Sequence, residues 1–405
     1  MSTSSKNQEK EINPVHILEA VEKKLSKKVY LKATLKLIAH LAYIRRKWKL
    51  SAAFNKKSFK QVLTDMFELI WKYRGITVMY HGTKVFIDEY FSERLHEKEH
   101  LISEYMLEKE AIHIFWVSSS HDIAKMKQID NKTSGFDFLQ KNNLPTTKRY
   151  GILKSNGISI TWETPQGTLH NLTELLNTHK KVFTKPDNDS LGRGCAILSK
   201  GENSSILLND KTVSESLFAQ QLNRHLLVEE IVSQIPECEM WHPSSLNTLR
   251  LITLRNPENK EFYIERAIFR MGVDGAHTDN WCTGGIGVRV FPNGNLDKYG
   301  FYCDSTKAPC IAHPNTGKVF ENFCLSGYNE AAQLVLKAHK LLKRINGIGW
   351  DIAFTERGPI IIEMNPIFSV FQAQCGGLRK LIENHYLPQA LQNCTRWKDL
   401  AHLLS

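Results

Sequence analysis

The amino-acid sequence predicts an α+β fold with a mostly helical N-terminal region, and three observations carry that expectation. Up to about Glu110, apolar residues recur at roughly helical spacing. Beyond Ile112, short β-branched and aromatic runs are divided by Gly, Asn and Pro, the punctuation of strands and turns. Few helical stretches fall between those runs, so a mixed or antiparallel arrangement is expected rather than a regular βαβ alternation.

The helical region reads from about Val15 to Glu110, with Ser58 to Tyr73 (SFKQVLTDMFELIWKY) as a characteristic segment. Within it, Arg45-Arg46-Lys47-Trp48-Lys49 followed by Lys56-Lys57 is either a contact for a membrane surface or acidic polymer, or simply a solvated helix face. Strands are expected at Lys181–Lys185, Cys195–Ser199, Leu226–Val232, Leu246–Arg255, Phe262–Met271, Gly285–Phe291, Ile348–Phe354 and Pro359–Met364. Helices are expected at Ser214–Asn223 and Asn329–Ile345. No internal repeat or low-complexity segment interrupts the chain.

The composition bounds the function. With 405 residues, 42% hydrophobic and 23% charged, the chain can bury a large core. No run approaches the roughly eighteen apolar residues of a membrane span, and the start, MSTSSKNQEKEINP, has no signal-peptide core. A cytoplasmic location is therefore expected, with a peripheral position at the inner membrane face as the alternative. The eight cysteines form no CxxC pair and no zinc spacing, so they read as mostly buried, reduced thiols. A net charge of +11 favours anionic partners, but no nucleic-acid motif accompanies it, and nucleic acid is not expected as a partner.

The chemistry-bearing stretch is GIGWDIAFTERGPIIIEMNP, from Gly347 to Pro366. If Glu356 to Gly358 forms a three-residue loop, antiparallel pairing sets Asp351 opposite Glu363, while the period of two puts Glu363 and Asn365 on one face. Three hard oxygen donors then converge, the set magnesium takes together with phosphates. A slip of one residue would break the arrangement, and an ordinary hairpin with solvated acids is the plain alternative.

Four further stretches add to it. In KVFTKPDNDSLGRGCAILS, Lys185 supplies a point charge, and Gly192 and Gly194 allow backbone N–H groups to approach phosphate; a plain glycine-rich hairpin loop is the commoner explanation of such a stretch taken alone. LLVEEIV places Glu229 and Glu230 in an apolar strand, suiting either a purine slot or a solvated edge. In NTLR, Arg250 interrupts an apolar strand, where it either stabilises a transferring phosphoryl group or forms a structural ion pair. The loop His277-Thr278-Asp279-Asn280-Trp281 before Gly284-Gly285 either lines a substrate pocket or merely connects strands. No serine elbow or Cys/His nucleophile signature is present, so covalent catalysis has no support.

In this order, and in the wording PSSLNTLRLITL, DNWCTGGIGV and IGWDIAFTERGPIIIEMNP, the sequence resembles the sugar-transfer-associated ATP-grasp family over roughly Ile112 to Leu387. The resemblance implies an ATP-grasp fold, two α+β subdomains enclosing ATP. It divides the chain into a helical region (1–111), a grasp domain (112–390) and a tail (391–405). Within the grasp domain it implies a pre-grasp part (112–180), a glycine-loop lobe (181–235) and a metal-binding lobe (236–390). The implied phosphate contacts are Lys185, Ser190, Gly192, Arg193, Gly194 and the earlier Lys132, with nucleotide-base contacts at Glu229 and Glu230. Asp351, Glu363 and Asn365 are the implied ligands of two magnesium ions, and Asn365 also reaches the nucleotide. Arg250 with Lys185 would be catalytic, and His277, Asp279, Asn280, Gly284 and Gly285 would lie on the acceptor side. Two departures from the family pattern are Met364, where small residues are frequent, and Arg193 inside the glycine loop.

The implied activity is a carboxylate-amine ligase that activates a carboxylate as an acyl phosphate. Its carboxylate would be a small molecule or glycan, such as an acidic sugar in surface-polysaccharide biosynthesis, and its acceptor an amine. Contact with membrane-associated glycan machinery is part of the same expectation. A sugar kinase of the same fold and a non-catalytic ATP-binding regulator are the alternatives.

Overall fold

A computed structural model of the chain describes residues 27–72, 82–119, 123–187, 194–202, 205–222, 225–366, 368–369 and 376–393. The chain divides into two compact units, one of residues 1–50, 55–121 and 376–405, the other of 51–54 and 122–375.

The first unit is helical, with α1 (Lys27–Ala39), α2 (Leu41–Leu50), α3 (Phe59–Trp71), α4 (Thr83–Ser92) and α5 (Glu108–Ser118). Ser58 starts α3 through a capping box: its hydroxyl accepts from the Gln61 N–H while the Gln61 side chain accepts from the Ser58 N–H. Ala33, Leu37, Ile44, Val62, Met66, Phe86 and Tyr90 are buried as its core. Lys57, expected as part of a basic contact or solvated face, is instead buried: its Nζ donates to Asp65, 2.8 Å, and to the carbonyls of Leu95 and His100. Helical turns from Arg379 to Asn393 group with this unit. Their buried Ile382 and Tyr386 supply apolar surface, and Tyr386 packs edge-on against Phe115 with ring centroids 4.7 Å apart.

The second unit carries two antiparallel sheets. The first has the order β3-β2-β1-β8-β4-β5-β6-β7. Its strands are β1 (Arg149–Ser155), β2 (Ile160–Glu163), β3 (Leu169–Asn171), β4 (Lys181–Pro186), β5 (Ala196–Lys200), β6 (Ile206–Leu208), β7 (Lys211–Val213) and β8 (Leu226–Glu229). The second has the order β12-β11-β10-β9-β13-β14. It comprises β9 (Thr248–Arg255), β10 (Phe262–Met271), β11 (Ile286–Val290), β12 (Leu296–Tyr302), β13 (Gly347–Thr355) and β14 (Gly358–Asn365). The expected strand Leu226–Val232 stops at Glu229, because the Glu230 N–H turns to the carbonyl of Lys148. The stretch before residue 181 is not merely a prelude, since β1 lies inside the first sheet between β2 and β8.

Helices α6 (Ile123–Asp130), α7 (Lys132–Lys141), α8 (Leu172–His179), α9 (Glu215–Gln221) and α10 (Tyr328–Lys340) accompany the sheets. On the first sheet, Val182, Leu198, Leu226 and Val228 share one core with Leu175 and Leu176 of α8 and Phe218 of α9. The period of two sends Lys181, Phe183, Lys185, Ile197 and Glu229 to the opposite face. Of the six cysteines among the described residues, all are free thiols, but only Cys238 is buried while Cys282 and Cys324 are exposed. The expectation of mostly buried thiols therefore fails, because these cysteines fall in loops as well as the core.

Candidate functional site

The opposite face of the first sheet and one face of the second line a single cavity of about 890 Å³. Its wall includes Lys132, Lys185, Glu229 and Glu230, together with Arg250, Asp351, Glu363 and Asn365. His277, Asp279 and Asn280 line it as well. The apolar side chains Phe183, Ile197, Ile231 and Leu246 complete an amphipathic lining.

The acids of the second sheet come together by register. β9 pairs with β13 so that Arg250 lies opposite Asp351, and β13 pairs with β14 so that Asp351 lies opposite Glu363. The expected three-residue loop is in fact a two-residue turn, since Thr355 pairs with Gly358. A register shift between Asp351 and Ile352 then restores the Asp351–Glu363 pairing, leaving Ile362 as the bulged residue. The bulge turns both Ile362 and Glu363 to the cavity. Met364 points away, buried, with its Cε beside Gly135 of α7, which explains why a large residue fits there.

Asp351 is not a free ligand. Arg250 grips it with two bonds, Nε to Oδ1 at 2.5 Å and Nη2 to Oδ2 at 3.1 Å. Nη2 of Arg270 lies 3.1 Å from Oδ1. Burial pushes this carboxyl up, yet the two guanidiniums outweigh burial and hold it below the ordinary carboxylate range. Arg270 also lies 3.4 Å from Asp279 and donates to the Thr248 hydroxyl, 2.7 Å away. Asp279 in turn accepts from the Thr248 N–H, 3.0 Å, and from its hydroxyl. Asp279, expected on the acceptor side, and Asp351, expected at the metal, are thereby joined through one arginine, which sequence reasoning missed. The polar interruption of FYIERAIFRM was its only signal.

Glu363 differs from Asp351. Its charged neighbour is Lys132, 4.0 Å away, and burial first, then the Asp351 charge, raise its carboxyl above the ordinary range. The side chain keeps 34% of its surface accessible because it opens on the cavity, although protein surrounds it otherwise. Asn365 shares its face, and the buried Nδ2 has no hydrogen-bond partner among the described residues. In the other lobe Glu229 receives Lys185 at 2.8 Å, the Thr147 hydroxyl at 3.3 Å and Arg149 at 3.5 Å. Glu230 accepts from the Lys148 N–H, 3.0 Å, and from Arg357, 2.8 Å.

Ser190, Gly192 and Arg193 lie outside the described residues. Gly194 is described at φ +72°, a conformation side chains resist, with Pro186 crowding its Cβ position. Gly284 and Gly285 are not among the cavity-lining residues: Gly284 ends the turn Trp281–Thr283, and a Cβ on Gly285 would stand 2.7 Å from the Asp279 carbonyl. Asn280 caps that turn by accepting from the Cys282 N–H, 2.9 Å.

The family model described as sugar-transfer associated ATP-grasp matches residues 116–385. The chain belongs to that family. No curated protein matches it. Among solved structures, this ATP-grasp chain is similar to a carboxyaminoimidazole ribonucleotide synthase from Aspergillus clavatus complexed with ATP, at 13% identity and TM-score 0.35, over 64% of this chain and 52% of that one. It is similar to D-alanyl-alanine synthetase A from Vibrio cholerae at 12% identity and TM-score 0.33, over 68% and 63%. A third likeness is to the L-amino acid ligase from Bacillus licheniformis, at 10% identity and TM-score 0.35, over 66% and 48%. The chain spans about half the length of the first structures it matches.

Within the ATP-grasp cavity, the donor set suits a hard cation at Glu363 and Asn365, an under-neutralised carboxylate beside an orphaned amide that a flip turns into an oxygen donor. Asp351 suits one less well, since both its oxygens already bind arginine. Among the described residues no group of three or more His, Cys, Asp or Glu is arranged as a metal site. The expected convergence of three ready oxygen ligands is thus reduced to two, because Arg250 and Arg270 reach Asp351 first.

Proposed function

We propose that this ATP-grasp protein binds ATP with magnesium in the cavity and activates a substrate carboxylate as an acyl phosphate, which an amine captures to form an amide. The observation that carries the reading is the meeting of Lys132, Lys185 and Arg250 with Glu363 and Asn365 on one cavity wall. Lys185, held by Glu229, and Lys132, beside Glu363, supply positive charge for phosphate. Arg250 is fixed by Asp351 through Nε and Nη2, which leaves its Nη1 for a transferring phosphoryl oxygen. Glu363 and Asn365 would hold magnesium, which when bound would neutralise charge at phosphoryl oxygens. In this reading Glu229 and Glu230 border the base, and His277, Asp279 and Asn280 border the acceptor.

The family description, sugar-transfer associated ATP-grasp, supports a sugar-linked substrate; an acidic sugar as the carboxylate and an amino acid as the amine, in surface-polysaccharide assembly, belong to the proposal itself. Phosphorus NMR of magnesium-dependent ATP cleavage, with uronic acids offered with and without amino acids, tests it. ADP and orthophosphate formed only when both acid and amine are present support the ligase. A sugar phosphate formed without amine replaces it with a kinase, and tight ATP binding without cleavage replaces it with a regulator. Glu363→Gln is expected to lower magnesium-dependent turnover by at least about a hundredfold.

A further inference from the structure

Helices α1 and α2 run almost continuously: the His40 N–H bonds the Leu37 carbonyl, and its own carbonyl accepts from the Ile44 N–H. Ala33, Leu37 and Ile44 are buried on one side of this rod. On the other side of α1, Leu31, Leu35 and Ile38 stand 53%, 57% and 45% exposed. Their spacing of four and three places them on one face, and exposed Lys32 and Lys36 lie one step further round it. The solvent side of α2 continues with exposed Arg45, Arg46 and Lys49. Every side chain ionised at neutral pH between Lys27 and Leu50 is Lys or Arg; no Asp or Glu occurs there.

A solvated face needs no row of exposed leucines, and a soluble polyanion needs none either. An apolar stripe edged by positive charge, on two helices that carry no acidic residue, matches a bilayer interface, where hydrocarbon receives the stripe and lipid phosphates receive the cations. No helix among the described residues is long and apolar enough to cross a membrane, so the fit is to a surface. We propose that the exposed face of α1 and α2 docks this protein on an anionic lipid bilayer.

Flotation with vesicles at about 0.1 M ionic strength, without nucleotide, tests the docking separately from the ligase reading. Binding to phosphatidylglycerol vesicles is expected to exceed binding to phosphatidylcholine vesicles by about tenfold or more. Leu31→Ser/Leu35→Ser/Ile38→Ser and Arg45→Glu/Arg46→Glu/Lys49→Glu should each lower it at least about tenfold, with thermal unfolding showing each variant folded. Should the apolar triple unfold, Leu35→Ser alone serves, with a several-fold loss expected. Absence of vesicle binding, or full binding by either variant set, overturns the proposal. Retention by the apolar variants together with capture on heparin reassigns the face to a soluble polyanion.

Discussion

Asp351 and Glu363 face each other across two strands, yet their surroundings push them in opposite directions. A carboxyl raised on folding contributes stability that is complete below its unfolded pKa and is lost as pH rises through the folded value. Glu363 is such a group, so its ionised form weakens the ligand-free protein at neutral pH. Glu363→Gln should therefore raise the melting temperature at pH 7 while removing turnover, and the gain should vanish as pH falls below the ordinary carboxylate range. A variant that melts lower than wild type at pH 7 would contradict this account. Asp351 has the reverse sign: its stabilisation is present at neutral pH and is lost as acid protonates it. Arg270 bridges Asp351 and Asp279 inside the wall, so Arg270→Met leaves buried negative charge under-compensated. A loss of about 3 kcal/mol, read from the urea midpoint, is expected. An unchanged midpoint would mean that Arg250 and Thr248 suffice.

At the scale of elements, alternation along strands was the most legible signal. Lys185, Glu229, Arg250, Asp351, Glu363 and Asn365 each interrupt an apolar strand, and all six reach the cavity. The opposition of Asp351 and Glu363 was legible as well, but not its cause. A two-residue turn plus a bulge at Ile362 gives the same pairing as a three-residue loop, and sequence spacing alone cannot separate them. Arg270 stayed hidden because its partners lie on other elements, Asp279 in the loop after β10 and Asp351 on β13, and no strand periodicity brings them to it. The Gly284-Gly285 pair was read as a pocket lining, whereas its role is to let the loop fold back on Met271 and Asn280. Gly285→Ala would thrust a Cβ to within 3 Å of three backbone carbonyls, and the loop carrying Asp279 and Asn280 must shift to admit it. Raised KM for the acceptor substrate, with ATP binding measured by calorimetry altered less than about twofold, is the expected pattern. Equal losses for both ligands would show that the loop serves the nucleotide.

At the scale of the whole molecule, the helical unit is assembled from both parts of the chain that flank the sheets. Hydrophobic periodicity marked the first part as helical but carried no information on which distant segment covers it, since an apolar face does not name its partner. The C-terminal turns were accordingly assigned to the sheet-bearing domain. Ala111, Ile114 and Phe115 of α5 are buried, as are Ile382, Tyr386 and Ala390. Arg379 fastens the same segment by donating twice to the Tyr105 carbonyl, at 2.7 and 3.0 Å, and Asn393 donates to the Val117 carbonyl at 2.9 Å. Truncating either ring of the Phe115–Tyr386 pair removes a large buried side chain and leaves a cavity, so Phe115→Ala and Tyr386→Ala should each cost about 3 kcal/mol. Because the rings touch, the double variant should cost about 1 kcal/mol less than the sum. Denaturant unfolding followed by circular dichroism at 222 nm measures all three. Strict additivity would mean that the two segments do not share one core, and the C-terminal turns would then be an appendage rather than part of the unit that α1 and α2 belong to.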